Sequence, residues 1–473
     1  MEKGVKFCAI ILWPIIIATF LIYPSIGFSV SSNNPFYFQE SASHNLNLGN
    51  GNVDGNGNNS PHYNYYQSHI ENHYHYNSND SVTHRLKSQR SLHLPNKRTF
   101  AKISDLGSEW YNKGVECYND ERYDQAFEWF IKATIYNNKG AKSYLATMYD
   151  FGQGVPKNDI MALKWYQEAA SQGDADAQNG LGVMYENGTS VPQSDAVAVE
   201  WYSKAAKQGQ EFAQDNLGVM YMNGKGVSQS DSLALQWFRK AADKKNPAGQ
   251  RHLGYMFSAG KGVSQSDSLA VFWYRKAVDQ GDALAQRDLG YNFSVGRGVP
   301  QSDSLAVFWY RKAADQGDAS AQRNLGYRYF FGKGVSQSNV EAVNWFSLAA
   351  DQGDAGAQSV VAFLYYQGNI LKKNNAVAFQ WASKAADQGD ADAQRLLGVM
   401  YIYGDGVQQS DVVAFSWTRK AAEQGDDHAQ SNLGMLYLKG KGVLQSDIEA
   451  LKWFHKAAEQ GNTYAKNALK RFE

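Results

Sequence analysis

The 473-residue chain contains only two cysteines, Cys8 and Cys117. With Cys8 inside the apolar N-terminal segment, a single thiol remains, which excludes a disulfide framework and a cysteine-based zinc site. The chain also carries no excess charge, because 46 basic residues balance 46 acidic ones. Nothing in this balance indicates a nucleic-acid-binding surface.

Catalytic sequence motifs are missing as well. The chain has no HExxH, GxSxG, Walker or CxxC pattern, so no metalloprotease, hydrolase, nucleotide-binding or thiol-redox site is indicated. Its recurring carboxylates and its recurring Lys-Ala-Ala segments fall at positions typical of turns, helix caps and packing. We therefore expect no catalytic residue, no cofactor and no metal site, and we predict that the protein is not an enzyme.

What the chain does contain is a strict period. Tryptophans recur every 36 residues without an insertion or deletion, at Trp129, Trp165, Trp201, Trp237, Trp273, Trp309, Trp345, Trp381, Trp417 and Trp453. A period of this length is typical of stacked repeat arrays. Such arrays usually bind other molecules along an extended surface.

Each period predicts a first helix, helix A. In the unit that starts at Ala213, Leu217 and Tyr221 follow at spacings of four and eight residues, which places the three side chains on one helix face. Gly224 comes next and fits the left-handed residue that ends many helices. The second glycine, Gly226, belongs to the same turn, and the pair lacks the strand and lysine of a phosphate loop.

A second helix, helix B, follows in each unit. Ser230-Asp231 supplies an N-cap, and small residues recur before and after the tryptophan, as at Ala234 and Ala241-Ala242. This spacing predicts close packing between helices. We expect the tryptophans to belong to the core, where removing one costs about 3–5 kcal/mol.

The pattern resembles the Sel-one-like repeat family, a relative of the tetratricopeptide (TPR) repeat. Its signature, A-x-x-x-L-G-x-x-Y, then G-x-G-V, then D-x-x-x-A-x-x-W-[YF]-x-K-A-A-x-Q-G, is nearly complete at 213–242 and 321–353. The resemblance implies an all-α fold, an αα-hairpin solenoid in which TPR-like, HCP-like helical repeats form a right-handed superhelix. It also implies a function in binding proteins.

Within this interpretation the array has three parts. Residues 141–464 form nine 36-residue Sel-one-like repeats, residues 101–140 form a TPR-like N-terminal capping repeat, and residues 465–473 form a C-terminal capping helix. Departures from the pattern occur at Ser190, at Lys244-Lys245 and in the turn that starts at Gly368. We expect the curvature of the array to change at these places.

The chain begins differently. Residues 1–30 combine Lys3 and Lys6 with an apolar run and are predicted to be a signal peptide or an uncleaved signal anchor. Residues 31–100 are rich in Asn, His, Ser and Tyr and are predicted to be a disordered linker. The His-x-His at 73–75 is a weak metal motif, and a polar tether is the favoured interpretation.

N-glycosylation sequons occur at Asn58, Asn79 and Asn187, and we consider these three to be candidate sites. The Asn292 sequon lies inside a predicted helix A and is a weaker candidate. Together the sequons give mild support to a secretory route.

The candidate partner-binding residues vary where the scaffold is constant. By analogy with the related repeats, helix A positions beside the core face should line the concave surface, and they carry Arg251, Tyr255, Arg287, Tyr291, Arg323, Tyr327, Arg328, Phe330 and Arg395. Arg and Tyr are enriched in binding hot spots. We predict that this groove holds protein or peptide segments, acidic ones in particular; the alternative is that duplication copied ordinary surface residues.

The resemblance implies an adaptor of the secretory pathway, similar to the luminal subunits of ubiquitin-ligase complexes in endoplasmic-reticulum quality control. The predicted location is therefore the endoplasmic-reticulum lumen, or its membrane if the N-terminal segment is uncleaved. Two alternatives are a secreted or surface effector and an activator of a membrane enzyme such as chitin synthase. A cell-wall or peptide hydrolase is disfavoured because the cysteines and catalytic clusters are missing.

Overall fold

The computed structural model describes the backbone of residues 97–472, with side chains from residue 106 onward. All regular secondary structure in this part of the chain is α-helical, in 21 consecutive helices. The predicted signal segment and all but the last residues of the predicted linker lie outside it. The first helix pair is α1, Lys97–Asn119, and α2, Tyr123–Thr134.

Antiparallel hairpins of helix A and helix B make up the rest. The A helices are α3 Lys139–Phe151, α5 Ala175–Asn187, α7 Glu211–Asn223, α9 Pro247–Ala259, α11 Ala283–Val295, α13 Ala319–Phe331, α15 Ala355–Gln367, α17 Ala391–Tyr403, α19 Asp427–Lys439 and α21 Thr463–Leu469. The B helices are α4 Asp159–Ser171, α6 Asp195–Lys207, α8 Asp231–Asp243, α10 Asp267–Val278, α12 Asp303–Asp315, α14 Asn339–Asp351, α16 Asn375–Asp387, α18 Asp411–Glu423 and α20 Asp447–Glu459. Each A helix from α3 to α19 packs most extensively on the B helix that follows it, and α21 packs on α20. The predicted all-α hairpin solenoid is confirmed.

Capping residues begin and end the helices where the spacing predicts. Ser230 Oγ accepts a hydrogen bond from the amide of Leu233 at 3.3 Å, and Gly224 ends α7 in the left-handed conformation. The second glycine of the turn packs on the preceding unit: a Cβ at Gly262 would lie 2.7 Å from the carbonyl oxygen of Asp231. Neighbouring units are thus held in register through their turns.

At two of the departures from the pattern, the backbone keeps the conformation that it has in the other units. Ser190 has φ 56° and Lys245 has φ 65°, in the left-handed region that glycine occupies in most other units. Residues without the freedom of glycine adopt this conformation at a modest cost. The flanking helices α5 to α9 all keep a length of 13 residues.

In most hairpins the aromatic residue of the core is the one that follows the tryptophan. Tyr202, Phe238 and Phe346 are fully buried, and each lies against a glycine of helix A, as Phe346 does against Gly326. Only Trp165 and Trp453 are buried, whereas the other eight tryptophans of the series are half-buried. At five of these eight tryptophans a lysine three residues later lies over the ring, with Lys204 Nζ 3.8 Å from the Trp201 ring centre. The expectation that every tryptophan is core is therefore wrong.

The two ends of the array differ from its middle. Residues 120–122 alone join α1 to α2, and Glu121 takes the positive φ of the turn. Even so, Gly114 lies against the Phe130 ring, as the equivalent glycines do in later units. At the other end α21 begins at Thr463, two residues before the predicted cap, and its Ala465 is fully buried against the last hairpin.

Candidate protein-binding face

Successive A helices define one side of the array. Their backbones approach each other at α3 and α5, at α7 and α9, and at α15 and α17, more closely than those of successive B helices do. The closer side of a curved stack is its concave side. We call the line of A-helix side chains two and six residues after the frame position (occupied by Ala213 in α7 and Gly249 in α9) the A-helix face.

Four of the predicted arginines occupy the first of these two positions, and each reaches the next unit. The nitrogen–oxygen distances to the aspartate of the next unit are 3.4 Å for Arg251 and Asp282, 3.1 Å for Arg287 and Asp318, 2.8 Å for Arg323 and Asp354, and 3.0 Å for Arg395 and Asp426. Arg395 also pairs with Asp392 of its own helix. The arginine side chains are only 4–29% exposed. The arginines therefore bridge neighbouring units.

The aspartates of these bridges also begin helices. Asp318 Oδ1 accepts a hydrogen bond from the amide of Ala321, and Asp354 Oδ1 accepts one from the amide of Ala357 at 2.8 Å. A carboxylate at a helix N-terminus is stabilised by free amides and by the helix dipole. Each bridge thus ties a side chain of one A helix to the cap of the next.

Three predicted tyrosines occupy the second position, six residues after the frame. Tyr255, Tyr291 and Tyr327 are half-buried and follow each other along α9, α11 and α13. The Tyr327 ring packs edge-on against Phe346, with centres 4.9 Å apart, and stacks with Phe331 at 6.2 Å. Burial raises the pKa of Tyr327 above its ordinary value. Its hydroxyl therefore remains a neutral donor and acceptor.

Two predicted residues lie apart from this line. Arg328 pairs with Asp303 at the start of α12, and its guanidinium carbon lies 5.8 Å from the Tyr310 ring centre. Phe330 packs half-buried into the core around α14. The structure thus aligns seven of the nine predicted residues and sets these two against neighbouring hairpins.

A row of buried glutamines, which the sequence analysis missed, joins the units beside the face. Gln352 Nε2 donates to Gln322 Oε1 at 2.7 Å, and Gln322 Nε2 donates to the carbonyl of Ala314 at 3.1 Å. Equivalent Gln-Gln pairs occur at Gln208–Gln178, Gln280–Gln250, Gln316–Gln286, Gln388–Gln358, Gln424–Gln394 and Gln460–Gln430. The available signal was the glutamine after each frame residue together with the glutamine of each Gln-Gly.

The row is interrupted where Lys244 replaces its glutamine. Gln214 Oε1 is buried there and has no hydrogen-bond partner within residues 106–472. An unsatisfied buried acceptor costs about 1–3 kcal/mol. The junction between α7 and α9 therefore lacks the Gln-Gln hydrogen bond of the neighbouring junctions.

The described residues bring few reactive side chains together. No group of three His, Cys, Asp or Glu side chains in it is arranged to hold a metal ion. His252 Nδ1 and Asp215 Oδ1 lie 2.7 Å apart, but both residues are buried at about 4–5% exposure, so a substrate has no access to this pair. Cys117 is a buried free thiol.

The described residues include two of the N-glycosylation sequons and the helices that could be compared with a membrane span. Asn187, the last residue of α5, is exposed, whereas Asn292 is 3% exposed. Asn58 and Asn79 lie outside the described residues. Among the helices of residues 97–472 none is long and apolar enough to cross a bilayer.

Comparison with known proteins gives a consistent result. The family model of the Sel1 repeat matches ten consecutive segments, at 104–134, 141–174, 175–210, 212–246, 247–282, 283–318, 319–354, 355–390, 391–426 and 427–462. The first of these coincides with the unit predicted to be a TPR-like cap. No curated protein matches the chain significantly.

Solved structures include similar chains. A protective antigen of uropathogenic Escherichia coli with an SLR fold is 30% identical, with coverage of 79% of this chain and 89% of that chain and a TM-score of 0.47. A Sel1 repeat protein from Oxalobacter formigenes is 35% identical, with 66% and 90% coverage and a TM-score of 0.46. An immunity protein from Pseudomonas aeruginosa is 22% identical, with 46% and 82% coverage and a TM-score of 0.34.

Sel1 repeat proteins generally act as scaffolds for protein–protein interaction, and the fold is typically non-catalytic. The family model covers more than half of the chain, and its segments follow the hairpins of the structure. The chain therefore belongs to the Sel1 repeat family.

Proposed function

We propose that this protein is a non-enzymatic adaptor of the secretory pathway that binds protein or peptide segments along its A-helix face. The observation that carries the proposal is the alignment of Tyr255, Tyr291 and Tyr327 on successive A helices. Large rings with a polar end supply contact area at a low cost in conformational entropy. Three such rings at equivalent positions offer repeated contacts to one extended segment.

The arginines have a different part in this proposal. Arg287 and Arg323 are each engaged by an aspartate of the next unit, so an acidic partner must compete with Asp318 and Asp354 for them. We expect the tyrosines to supply most of the affinity. We expect the arginines to add a preference for carboxylates wherever their guanidinium groups retain exposed edges.

The secretory location rests on the N-terminal segment and the sequons. Lys3 and Lys6 precede an apolar run, and Asn187 is an exposed sequon. Within that pathway we favour an adaptor of endoplasmic-reticulum quality control. A secreted or surface effector and an activator of a membrane enzyme such as chitin synthase are the competing proposals.

The first experiment identifies partners of the full chain. A C-terminally tagged protein is expressed in a eukaryotic cell, and crosslinked partners are identified by mass spectrometry. Enrichment of quality-control ligase subunits or chaperones would support the luminal adaptor. Recovery of cell-surface proteins alone, or of the protein in the medium without partners, would contradict it and favour the secreted binder.

A variant pair tests the face itself. Y255A/Y291A should lose the partners, because both changes remove ring contacts of the A-helix face while leaving the Arg–Asp bridges in place. The matched control is Phe212→Ala, which removes a ring that is 40% exposed on α7. Equal partner recovery by both variants would contradict binding through the tyrosines.

A further inference from the structure

The outer side of the array carries an apolar patch that the proposed function does not use. Leu269 and Phe272 of α10 are 45% and 49% exposed, and Leu305 and Phe308 of α12 are 43% and 48% exposed. Leu233 of α8 continues the row at 37%. A soluble helix normally presents polar side chains on its outward face. We call these five residues the outer patch.

The patch is confined to neighbouring units. The residue before the tryptophan is Phe only at Phe272 and Phe308; in the other seven hairpins it is Lys164, Glu200, Gln236, Asn344, Gln380, Ser416 or Lys452. The segments 267–277 and 303–313 are identical in sequence, so the same pair of apolar side chains is presented twice in succession. Exposed apolar side chains repeated on successive units are typical of an interaction site.

Positive charge borders the outer patch. Lys276 Nζ lies 5.3 Å from the Phe272 ring centre, and Lys312 Nζ lies 5.4 Å from that of Phe308. Near the C-terminal ends of α8, α10 and α12 an arginine and a lysine stand beside one aspartate, which leaves one net positive charge at each of these helix ends, although each helix also begins with an aspartate. The whole chain, in contrast, has a net charge of zero.

We propose that the outer patch binds an acidic amphipathic helix of a partner protein, in which an apolar stripe is flanked by Asp or Glu. The apolar stripe would cover Phe272 and Phe308, and the flanking carboxylates would meet Lys276 and Lys312. Helices of 12 and 13 residues extend about 20 Å. The exposed faces of α10 and α12 therefore offer room for about three to four turns of a partner helix.

The charges favour a protein helix over an anionic membrane. Asp243, Asp279 and Asp315 are exposed at the end of the same three helices. These aspartates repel a uniformly anionic surface, whereas a helix with spaced carboxylates pairs with the lysines and leaves the aspartates in water. This proposal is independent of the A-helix face and remains open if partner binding there fails.

Binding to synthetic peptides tests the proposal. The probe is a fluorescent 18-residue helical peptide with a leucine stripe flanked by Glu, and its comparison peptide carries Lys at every Glu position. We expect the full chain to bind the Glu peptide preferentially, with affinity that falls as NaCl is raised. F272S/F308S should weaken binding about tenfold or more.

Two further variants make the result specific. V412S/I448S removes apolar side chains that are 67% and 79% exposed on other B helices and should leave binding unchanged. K276E/K312E should reverse the preference toward the Lys peptide. Circular dichroism and thermal melting establish that all variants remain folded, which is expected because the changes lie at the surface.

Several results would overturn the proposal. Equal binding of both peptides, or binding unaffected by F272S/F308S, would show that the outer patch is not an acidic-helix site. Binding of phosphatidylserine vesicles that is lost in F272S/F308S, without peptide binding, would assign the patch to membranes. A dimer in light scattering that F272S/F308S dissociates would assign it to a second copy of the chain.

Discussion

At single positions, a large side chain on helix B faces a small residue on helix A. Most hairpins pair Gly with Phe or Tyr, as at Gly254 and Tyr274, where an added Cβ would lie 2.8 Å from the ring. In the hairpin of α15 and α16 both positions are alanine, Ala362 and Ala382, and both are fully buried. The volume lost from helix B is thus partly regained on helix A.

This match predicts a compensated exchange. Ala382→Phe alone should lower the free energy of unfolding by about 2 kcal/mol, because the ring meets the methyl group of Ala362 in a filled core. Adding Ala362→Gly restores the pair found elsewhere and should recover at least half of the loss. Urea unfolding of both single variants and the double variant measures the coupling; additive effects would contradict the match.

A second residue-scale prediction concerns the interrupted glutamine row. Lys244→Gln should raise the free energy of unfolding by about 1 kcal/mol, because its amide supplies the hydrogen bond that Gln214 Oε1 lacks. The control is Lys207→Gln, which changes an exposed lysine at the end of α6. A similar effect of both substitutions in thermal melts would attribute the gain to the loss of charge.

At the scale of single residues, only some features could be predicted from the sequence. The left-handed glycines and the serine caps follow from local spacing, because each is determined by the turn or helix end in which it lies. The burial of the ring after the tryptophan does not follow from local spacing. Trp201 and Tyr202 are both large and aromatic, and only the angle at which α5 meets α6 decides which of them lies against Gly182.

At the scale of helices, the start of each A helix is also its junction with the unit before it. Asp318 caps α13 and pairs with Arg287 of α11. At one junction the arginine is replaced by Ser359, and the capping residue there is Asp390. Burial raises the pKa of Asp390 to about 6. The carboxyl therefore holds a proton in the folded chain at pH values where the unfolded chain releases it.

This difference predicts a pH-dependent junction. The native pKa of Asp390 exceeds its ordinary value of 3.8, so its contribution to stability is fully present below pH 3.8 and is lost as the pH rises through about 6. At pH 8 Asp390→Asn should stabilise the chain by on the order of 2 kcal/mol, because asparagine caps equally well without a charge. The gain should shrink toward pH 4.

The paired junction supplies the comparison. Asp318→Asn should destabilise the chain at pH 8, because it leaves the guanidinium of Arg287 without its carboxylate partner in the next unit. Unfolding in urea between pH 4 and pH 8 distinguishes the two variants. Destabilisation by Asp390→Asn at every pH would contradict the raised pKa.

The Arg–Asp bridges could not be predicted from the sequence. Arg287 and Asp318 are 31 residues apart, and no helical or turn spacing connects them. Their contact depends on how one hairpin is placed on the next. The sequence singled out the arginines as partner-binding residues, which stays a prediction, and the structure adds a contact within the array that the sequence did not indicate.

At the scale of the whole molecule, the array depends on what covers its ends. Tyr464, Ala468 and Leu469 of α21 pack against Phe454 and the end of α19. Deletion of residues 463–473 should lower the melting temperature and increase aggregation, because it uncovers this apolar surface. A chain that keeps its melting temperature and stays monomeric in light scattering after the deletion would show that α21 is dispensable.

Passage through the secretory pathway is testable on the same scale. In a eukaryotic cell Asn187 should carry a glycan, because it is exposed at a helix end, and Asn292 should not, because it is buried within α11. Asn187→Gln should therefore shift the mobility of the protein on a gel, and glycosidase treatment should abolish the difference. An unmodified Asn187 would weaken the case for a luminal location.

The contact of Gly262 with the carbonyl of Asp231 has a consequence for how the number of repeats in such a chain can change. Most units present the same glycine turn to the helix start of the unit before them, as Gly226 does to Asp195 and Gly442 does to Asp411. Recombination that copies one complete unit therefore creates two interfaces of a kind already present. A copied stretch that is not a whole number of units leaves one turn without its carbonyl. Duplication of whole units therefore preserves the interfaces, and segments 267–277 and 303–313 have the identity expected of such an event.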